Sequence, residues 1–426
     1  MSWNKEKGNP RALLPIGVFL VIFLGAGCIT GDFYSMPAIV GFLIALFVAF
    51  MQNKELDFSQ KITAISAGVG EENIVTMSLI FLSAGAFSGA VKAAGGVEST
   101  VNLGLSIMPS SIAVVGLFLI GCFISISMGT SMGTIAAMAP IGVGISEKTG
   151  VSLAICIGAV VCGAMFGDNL SMISDTTIAA VRTQGCEMKD KFKENFLIVL
   201  PAAVITAVLF FVISGAGKAQ KFTNLDYDFI KVVPYLLVLI GALIGINVFL
   251  VLIGGTVLSL IVGVAAGTIP LGQIFQVVGE GITGMYDITV ISIVVACIVS
   301  LVKAYGGIQY ILYIIKRRIR GKRGGELGIA VLALLVDACT ANNTVAIVMA
   351  GPIAKEISGE FEIAPRRSAS LLDIFASVGQ GLIPYGAQLL SAASLSGLTP
   401  FGIMPYLFYP ILMGISALLF IAFRRR

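Results

Sequence analysis

Along most of the chain, apolar residues come in runs of about 20 broken by short polar stretches, long enough at about 1.5 Å per residue to cross about 30 Å of hydrocarbon. The runs lack the ten-residue alternation of barrel strands. They therefore predict helices, the other structure that satisfies its own backbone in lipid. Continuous spans are expected at 12–30, 36–52, 73–91, 194–216, 229–246, 247–266, 286–303 and 405–423, and interrupted ones at 110–147, 151–182, 326–357 and 368–394. The segment from Leu13 to Ile29 follows basic residues, as a signal peptide does, but no small-x-small site leads into a polar mature domain. It reads as the first span.

The polar landmarks recur. VKAAGGVE (Val91 to Glu98) returns as VKAYGGIQ (Val302 to Gln309). MGTSMGTIAAMAPI (Met128 to Ile141) resembles ACTANNTVAIVMAGPI (Ala338 to Ile353), aligned with two extra residues before the proline, which sets Asp337 opposite Ser127. Pro140 then pairs with Pro352, and GDNLSMISD (Gly167 to Asp175) with GQGLIPYGA (Gly379 to Ala387). One membrane domain, 1–426, is expected to consist of two copies, 10–216 and 228–424. If segments 110–147 and 326–357 return to the side they entered from, each copy crosses an odd number of times and the copies are inverted. Re-entrant hairpins and pairs of full spans satisfy this parity equally. The expected fold is an all-α polytopic membrane protein of two inverted-topology repeats. Each has about five transmembrane helices plus a re-entrant helical hairpin, with helices broken at the midplane.

Charge sets the orientation. With both termini cytoplasmic, 22 of the 27 Lys and Arg fall inside, and only Lys92, Lys148, Lys218, Lys221 and Lys231 outside. The expected location is the inner (plasma) membrane, crossed many times. Only 12% of residues are charged, against roughly 25% in soluble domains, and 57% are hydrophobic. The net charge of +4 is small, and the basic run KRRIRGKR at 316–323 suits anionic lipid. The lipid bilayer is thus the expected partner and nucleic acid is not; a homodimer is compatible with the sequence. Zero His and seven Cys without a CxxC argue against transition metals. No phosphate loop supports ATP use. No cofactor is expected beyond Na+ and/or H+ as coupling ions.

Four polar stretches interrupt helices at membrane depth: Ser125 to Thr134, Gly167 to Thr177, Asp337 to Thr344 and Gly379 to Gln388. Unwound backbone there is tolerated only where it lines a cavity or is buried in protein, and inverted-repeat carriers place ion and substrate sites at such breaks. The oxygen-bearing side chains suit a hard cation. In the first copy these are Asp168, Asn169, Ser171, Ser174, Asp175 and Thr176, with Thr130, Ser131 and Thr134 on the paired tip. In the second they are Asp337, Thr340, Asn342, Asn343 and Thr344. Gln380, Tyr385 and Gln388 offer neutral hydrogen bonds to an organic solute. A carboxylate at membrane depth is costly and is kept for a function, which singles out Asp168, Asp175 and Asp337; Asp373 is a weaker candidate. An intramembrane aspartyl protease is disfavoured, since Ala164, Met165 and Phe166 precede Gly167 where that chemistry has GxGD. No enzymatic activity is expected.

At GTSMGT (Gly129 to Thr134), at Pro140 and Ile141, and above all at GDNLSMISDTT (Gly167 to Thr177), the sequence resembles the NhaC family of sodium/proton antiporters, within the ion-transporter superfamily of inverted-repeat carriers. It departs at Met132, Asn169 and Met172, where that family usually has Trp, His and Pro. The resemblance implies a secondary transporter that exchanges sodium against protons by alternating access. Asp168, Asp175, Asn342 and Thr344 are the sodium candidates, and Asp337 holds the second tip. The alternative is sodium- or proton-coupled transport of an amino acid or small carboxylate.

Overall fold

The computed structural model describes residues 7–30, 36–107, 112–172, 174–214, 225–244 and 246–423. Lys5, Lys218, Lys221 and Arg424 to Arg426, used above for orientation, lie outside them. Among the described residues all regular structure is helical. The first half runs α1 (Leu14–Thr30), α2 (Ala38–Met51), α3 (Phe58–Val69), α4 (Glu72–Ala93), α5 (Gly96–Ile107), α6 (Ala113–Met128), α7 (Ser131–Thr149), α8 (Leu153–Leu170), α9 (Asp175–Gln184) and α10 (Met188–Ile213). The second runs α11 (Phe229–Leu243), α12 (Val248–Ala265), α13 (Ile274–Thr283), α14 (Tyr286–Ala304), α15 (Gly307–Arg318), α16 (Gly321–Thr340), α17 (Asn343–Glu360), α18 (Pro365–Leu382), α19 (Ala387–Ser396), α20 (Pro400–Ile403) and α21 (Phe408–Phe423).

Four helical stretches among the described residues are long and apolar enough to cross a membrane, Ile74–Ala93, Leu153–Gln184, Met188–Ile213 and Val248–Ala265, or six if two bent pairs are each one span. Other expected spans are apolar but shorter. α2 has 14 residues, about 21 Å of helix. Exposed Val21, Phe47, Leu197, Val212, Ile261 and Phe423 on the outer helices give the apolar surface that hydrocarbon requires. Five helices, α3, α5, α13, α15 and the four-residue α20, stand where no span was expected. They are short, and α3 forms through a capping box in which Asp57 and Gln60 satisfy each other's backbone N–H.

Glycine fixes the packing that matters for the site. α6 and α8 run side by side in the same direction, with Gly121 against Gly163 and Gly167 against Cys122 and Ser125. A Cβ on Gly163 would lie 2.4 Å from Phe118 O, and one on Gly167 2.5 Å from Cys122 O, so no larger residue allows this approach. α16 and α18 pair likewise, with Gly379 against the Asp337 side chain. Each hairpin, α6–α7 and α16–α17, turns back where its neighbouring long helix breaks. Ser171 Oγ at the first break donates to Ile126 O at 2.6 Å, and Gln380 Nε2 at the second donates to Ala341 O at 3.3 Å. The broken helices then continue for ten residues each in α9 and α19.

The two tips are built alike. α6 closes on Gly129 at φ 68° and α16 on Ala341 at φ 49°, both left-handed. Thr130 then accepts from Gly133 N, and Asn342 from Val345 N, to start α7 and α17. Each feature of the second tip lies 212 residues after its counterpart (129 and 341, 130 and 342, 133 and 345). The tips therefore match without the two-residue insertion inferred from sequence. Asp337 corresponds to Ser125, the residue facing Gly167, and not to Ser127.

Polar contacts sort to two ends. At one, Lys303 approaches Glu71 at 3.9 Å and Asn9 N donates to Gly306 O at 2.9 Å. At the other, Lys148 meets Glu98 at 2.7 Å and Asn102 Nδ2 donates to Asp226 O at 2.7 Å. Lys61, Lys191 and Arg367, three of the 22 basic residues counted above as falling inside, are buried. Lys61 donates to Phe50 O and Gln52 O, Arg367 pairs with Glu194 and Glu326, and Lys191 pairs with Asp373.

Candidate functional site

The N-terminal turns of α7, α9, α17 and α19, all of them restarts after a break or tip, border one cavity of about 90 Å³. A single water needs roughly 10–15 Å³ on this measure, so several waters, or an ion with part of its shell, fit. Asp168 sits at its wall, 6% exposed. Ser131 Oγ donates to its Oδ2 at 2.7 Å and Ser174 Oγ to its Oδ1 at 2.6 Å. Both hydroxyls stand at helix restarts, Ser131 opening α7 and Ser174 at the N-cap of α9, so the breaks themselves deliver the donors.

A hydrogen-bonded chain joins the two halves at this point. Gln380 Nε2 donates to Gln388 Oε1 at 2.6 Å, and Gln388 Nε2 donates to Ser131 Oγ at 3.1 Å. From the second tip to Asp168, the chain passes through Ala341, Gln380, Gln388 and Ser131. The chain thus ties the hydrogen bonding of Asp168 to both tips.

Eleven of the seventeen residues singled out from sequence line the cavity. From the first half come Thr130, Ser131, Asp168, Ser174, Asp175 and Thr176. From the second come Asn342, Asn343, Thr344, Gln380 and Gln388. Asp175 differs from Asp168 in being exposed at the mouth. The other six support the walls. Asn169 turns away to Asn195 and Ser377, while Ser171 and Thr134 bond to the backbone of Ile126 and Thr130. Thr340 Oγ1 donates to Asn342 O at 3.2 Å within the second tip. Tyr385 donates to Ala338 O at 2.7 Å and packs edge-on against Phe19 and Phe42. Asp337 is fully buried against Gly379, with neither carboxylate oxygen hydrogen-bonded.

Sequence reasoning missed part of the lining, Thr76, Met77 and Ile80 of α4, which lie in an ordinary apolar run with no polar signal. It also missed Lys191 and Asn195, which hold the Asn169 carbonyl from behind. Two buried polar atoms on lining residues have no hydrogen-bond partner, Asn343 Nδ2 and Gln380 Oε1, one donor and one acceptor.

The model of the Na+/H+ antiporter family matches residues 10–215 and 228–424. The chain is 23% identical to a malate-2H+/Na+-lactate antiporter of Bacillus subtilis strain 168, over 93% of this chain and 90% of that protein. It is 24% identical to the Na+/H+ antiporter NhaC of Alkalihalophilus pseudofirmus, over 96% and 94%. Among solved structures, the YdaH transporter of Alcanivorax borkumensis aligns with a TM-score of 0.45 at 12% identity, covering 86% of this chain and 89% of that one.

Proposed function

The chain belongs to the Na+/H+ antiporter family and is a secondary active transporter of the NhaC type, and from that premise we propose that it exchanges sodium against protons through the cavity at its two helix breaks. The observation that carries the assignment of the site is Asp168, a buried carboxylate held by two hydroxyls at the wall of a cavity large enough for a partly hydrated ion. An ionised carboxylate out of bulk water needs a counter-charge. Sodium supplies it in one half of the cycle and a proton in the other, so the two occupants exclude each other. Asn342 and Thr344, from the facing tip, add neutral oxygens to the sodium shell, and Asp175 at the mouth draws the cation in.

Alternating access follows from two inverted copies, 10–216 and 228–424. The matched tips and the recurring order of helices support that reading. The end carrying Lys303 and the basic run at 316–323 is then cytoplasmic, with both termini, in the inner membrane. Reconstituted in proteoliposomes with an imposed pH gradient, the protein should move protons when sodium is added. Folded protein with no sodium-dependent pH change rejects the exchanger.

The unpartnered Asn343 Nδ2 and Gln380 Oε1 favour one second reading, coupled transport of an amino acid or small carboxylate. A carboxylate accepts from the amide and from the helix N-termini around it, and an ammonium donates to Gln380. A thermal-shift screen of amino acids and small carboxylates separates the two readings. Stabilisation by a solute only with sodium present selects this one.

A further inference from the structure

At the end carrying Glu71 and Lys303 lies a cavity of about 1030 Å³ that shares no residue with the site at the breaks. It stands at the upper end of the roughly 300–1,000 Å³ typical of ligand sites. Its walls lie where two apolar helices meet the aqueous side: Leu13 and Leu14 open the first apolar run, and Gln52 to Glu55 follow the last residue of α2. The walls are tied to one another. Asn9 N donates to Gly306 O at 2.9 Å, Gln52 Nε2 to Arg11 O at 2.8 Å, and Lys61 Nζ to Gln52 O at 2.9 Å. Two polar atoms on wall residues are buried without a hydrogen-bond partner. One is the hydroxyl of Tyr305, a side chain 2% exposed that packs with Ala12, Ala49 and Leu301; the other is Gln52 Oε1. A donor and an acceptor left unpaired there are costly. Arg11 and Lys54 line the same cavity, and among the described residues neither is in an ion pair. Against them stands Glu55, while buried Lys61 behind Gln52 adds a third positive charge and Asp57 is turned to the N-terminus of α3 as its cap.

We propose that this cavity binds one anionic phospholipid, its phosphate held by Arg11 and Lys54 and its acyl chains lying along Leu13, Leu14 and the apolar surface of α1. Tyr305 donates its hydroxyl to a phosphate or ester oxygen, and Gln52 Oε1 accepts from a hydroxyl of the headgroup. The lining decides between the two sources of a phosphate group. A soluble phosphate needs only the cations, whereas here Leu13 and Leu14, the latter 52% exposed, continue the wall onto apolar helix surface that an inorganic ion leaves bare. An amphiphile satisfies both parts at once, and basic side chains at the ends of membrane helices meet anionic headgroups at this depth. Phosphatidylglycerol carries the hydroxyls that Gln52 Oε1 requires; phosphatidylcholine has neither net charge nor an N–H or O–H donor. The basic run at 316–323 does not line the cavity, so the two lipid contacts are separate. Binding here requires neither sodium nor a gradient.

The test is thermal unfolding of the full chain, delipidated in neutral detergent without sodium and titrated with phosphatidylglycerol, phosphatidylcholine or inorganic phosphate. Phosphatidylglycerol should raise the unfolding midpoint saturably, with one lipid retained per chain in native mass spectrometry, and the other two should not. R11Q/K54Q should weaken the apparent affinity for phosphatidylglycerol by about tenfold or more. Y305F should weaken it several-fold without lowering the midpoint of the lipid-free protein. K322Q/R323Q removes two charges of the basic run and should leave the affinity unchanged. Stabilisation by inorganic phosphate equal to that by phosphatidylglycerol makes this a soluble-anion site and overturns the proposal. Equal weakening in K322Q/R323Q, which means general surface attraction, overturns it too, as does full affinity in both R11Q/K54Q and Y305F. Should R11Q/K54Q not fold, Y305F decides. A wild type that binds the lipid but moves no protons rejects the exchanger alone, whereas variants with unchanged lipid affinity reject only this site.

Discussion

Asp168 and Asp175 look equivalent in the string GDNLSMISD, yet they stand in different surroundings. Asp168 is walled in with two hydroxyl donors, while Asp175 opens α9 at the exposed mouth. Asp168→Asn should abolish sodium-dependent proton movement, and Asp175→Asn should weaken apparent sodium affinity while leaving the maximal rate largely intact. Loss of transport in both would remove the distinction. A hydrogen bond to a charged group contributes about 1.5–3 kcal/mol. Ser131→Ala or Ser174→Ala should therefore raise the sodium concentration for half-maximal exchange at fixed pH by about tenfold or more, as read from sodium titrations of the pH signal. The carboxylates and hydroxyls were legible in the sequence because polar side chains in an apolar run stand out. Asn169 and Tyr385 stood out equally and face elsewhere, since side-chain direction at a break depends on local backbone that composition does not encode.

The helices next to these residues are held by small faces. At Gly167 an added Cβ would come within 2.4 Å of the Ser125 Cβ and 2.5 Å of a backbone carbonyl, so α6 and α8 must part. Gly167→Ala should destabilise the protein by about 1–3 kcal/mol in detergent unfolding. Gly104→Ala on α5, with nothing within 4 Å of the new Cβ, should be neutral or mildly stabilising. Equal effects at the two sites would refute the tight α6–α8 contact. Most helices were legible from apolar runs, and the breaks from polar residues and Pro384. The short helices α3, α5, α13 and α15 were not, because ten to twelve residues of mixed polarity carry little periodic signal. The tips were read with a false insertion, since matching the residue type in TANNT to TSMGT outweighed backbone geometry. Ala341 in a left-handed conformation does the work of Gly129, and no residue pattern announces that.

Access to the cavity differs between the two ends. Thr76 and Asp175 form its rim towards the end carrying Glu71 and Lys303. On the other side Phe81, Met132, Met285 and Ala387 form a separate buried cluster. Beyond it lies a second cavity of about 420 Å³ bordered by Ser88, Lys92, Glu98 and Lys148. α4, α7 and α19 line both cavities, with the apolar cluster between. In a cysteine-free background, Thr76→Cys should react with a membrane-impermeant thiol reagent from the cytoplasmic side and Ser88→Cys from the opposite side. Thr76→Cys labelled only from outside would reverse the orientation. The sequence by itself determined that this chain lives in lipid, where its polar breaks fall and which few carboxylates stand in hydrocarbon, because burying charge is costly enough to be visible in composition. Only the tertiary structure decided which oxygens face one another, that both tips meet through Gln380, Gln388 and Ser131, and that Lys191 pairs with Asp373. Those facts depend on helices far apart in the chain approaching at glycine faces, and the distances between them are set by packing.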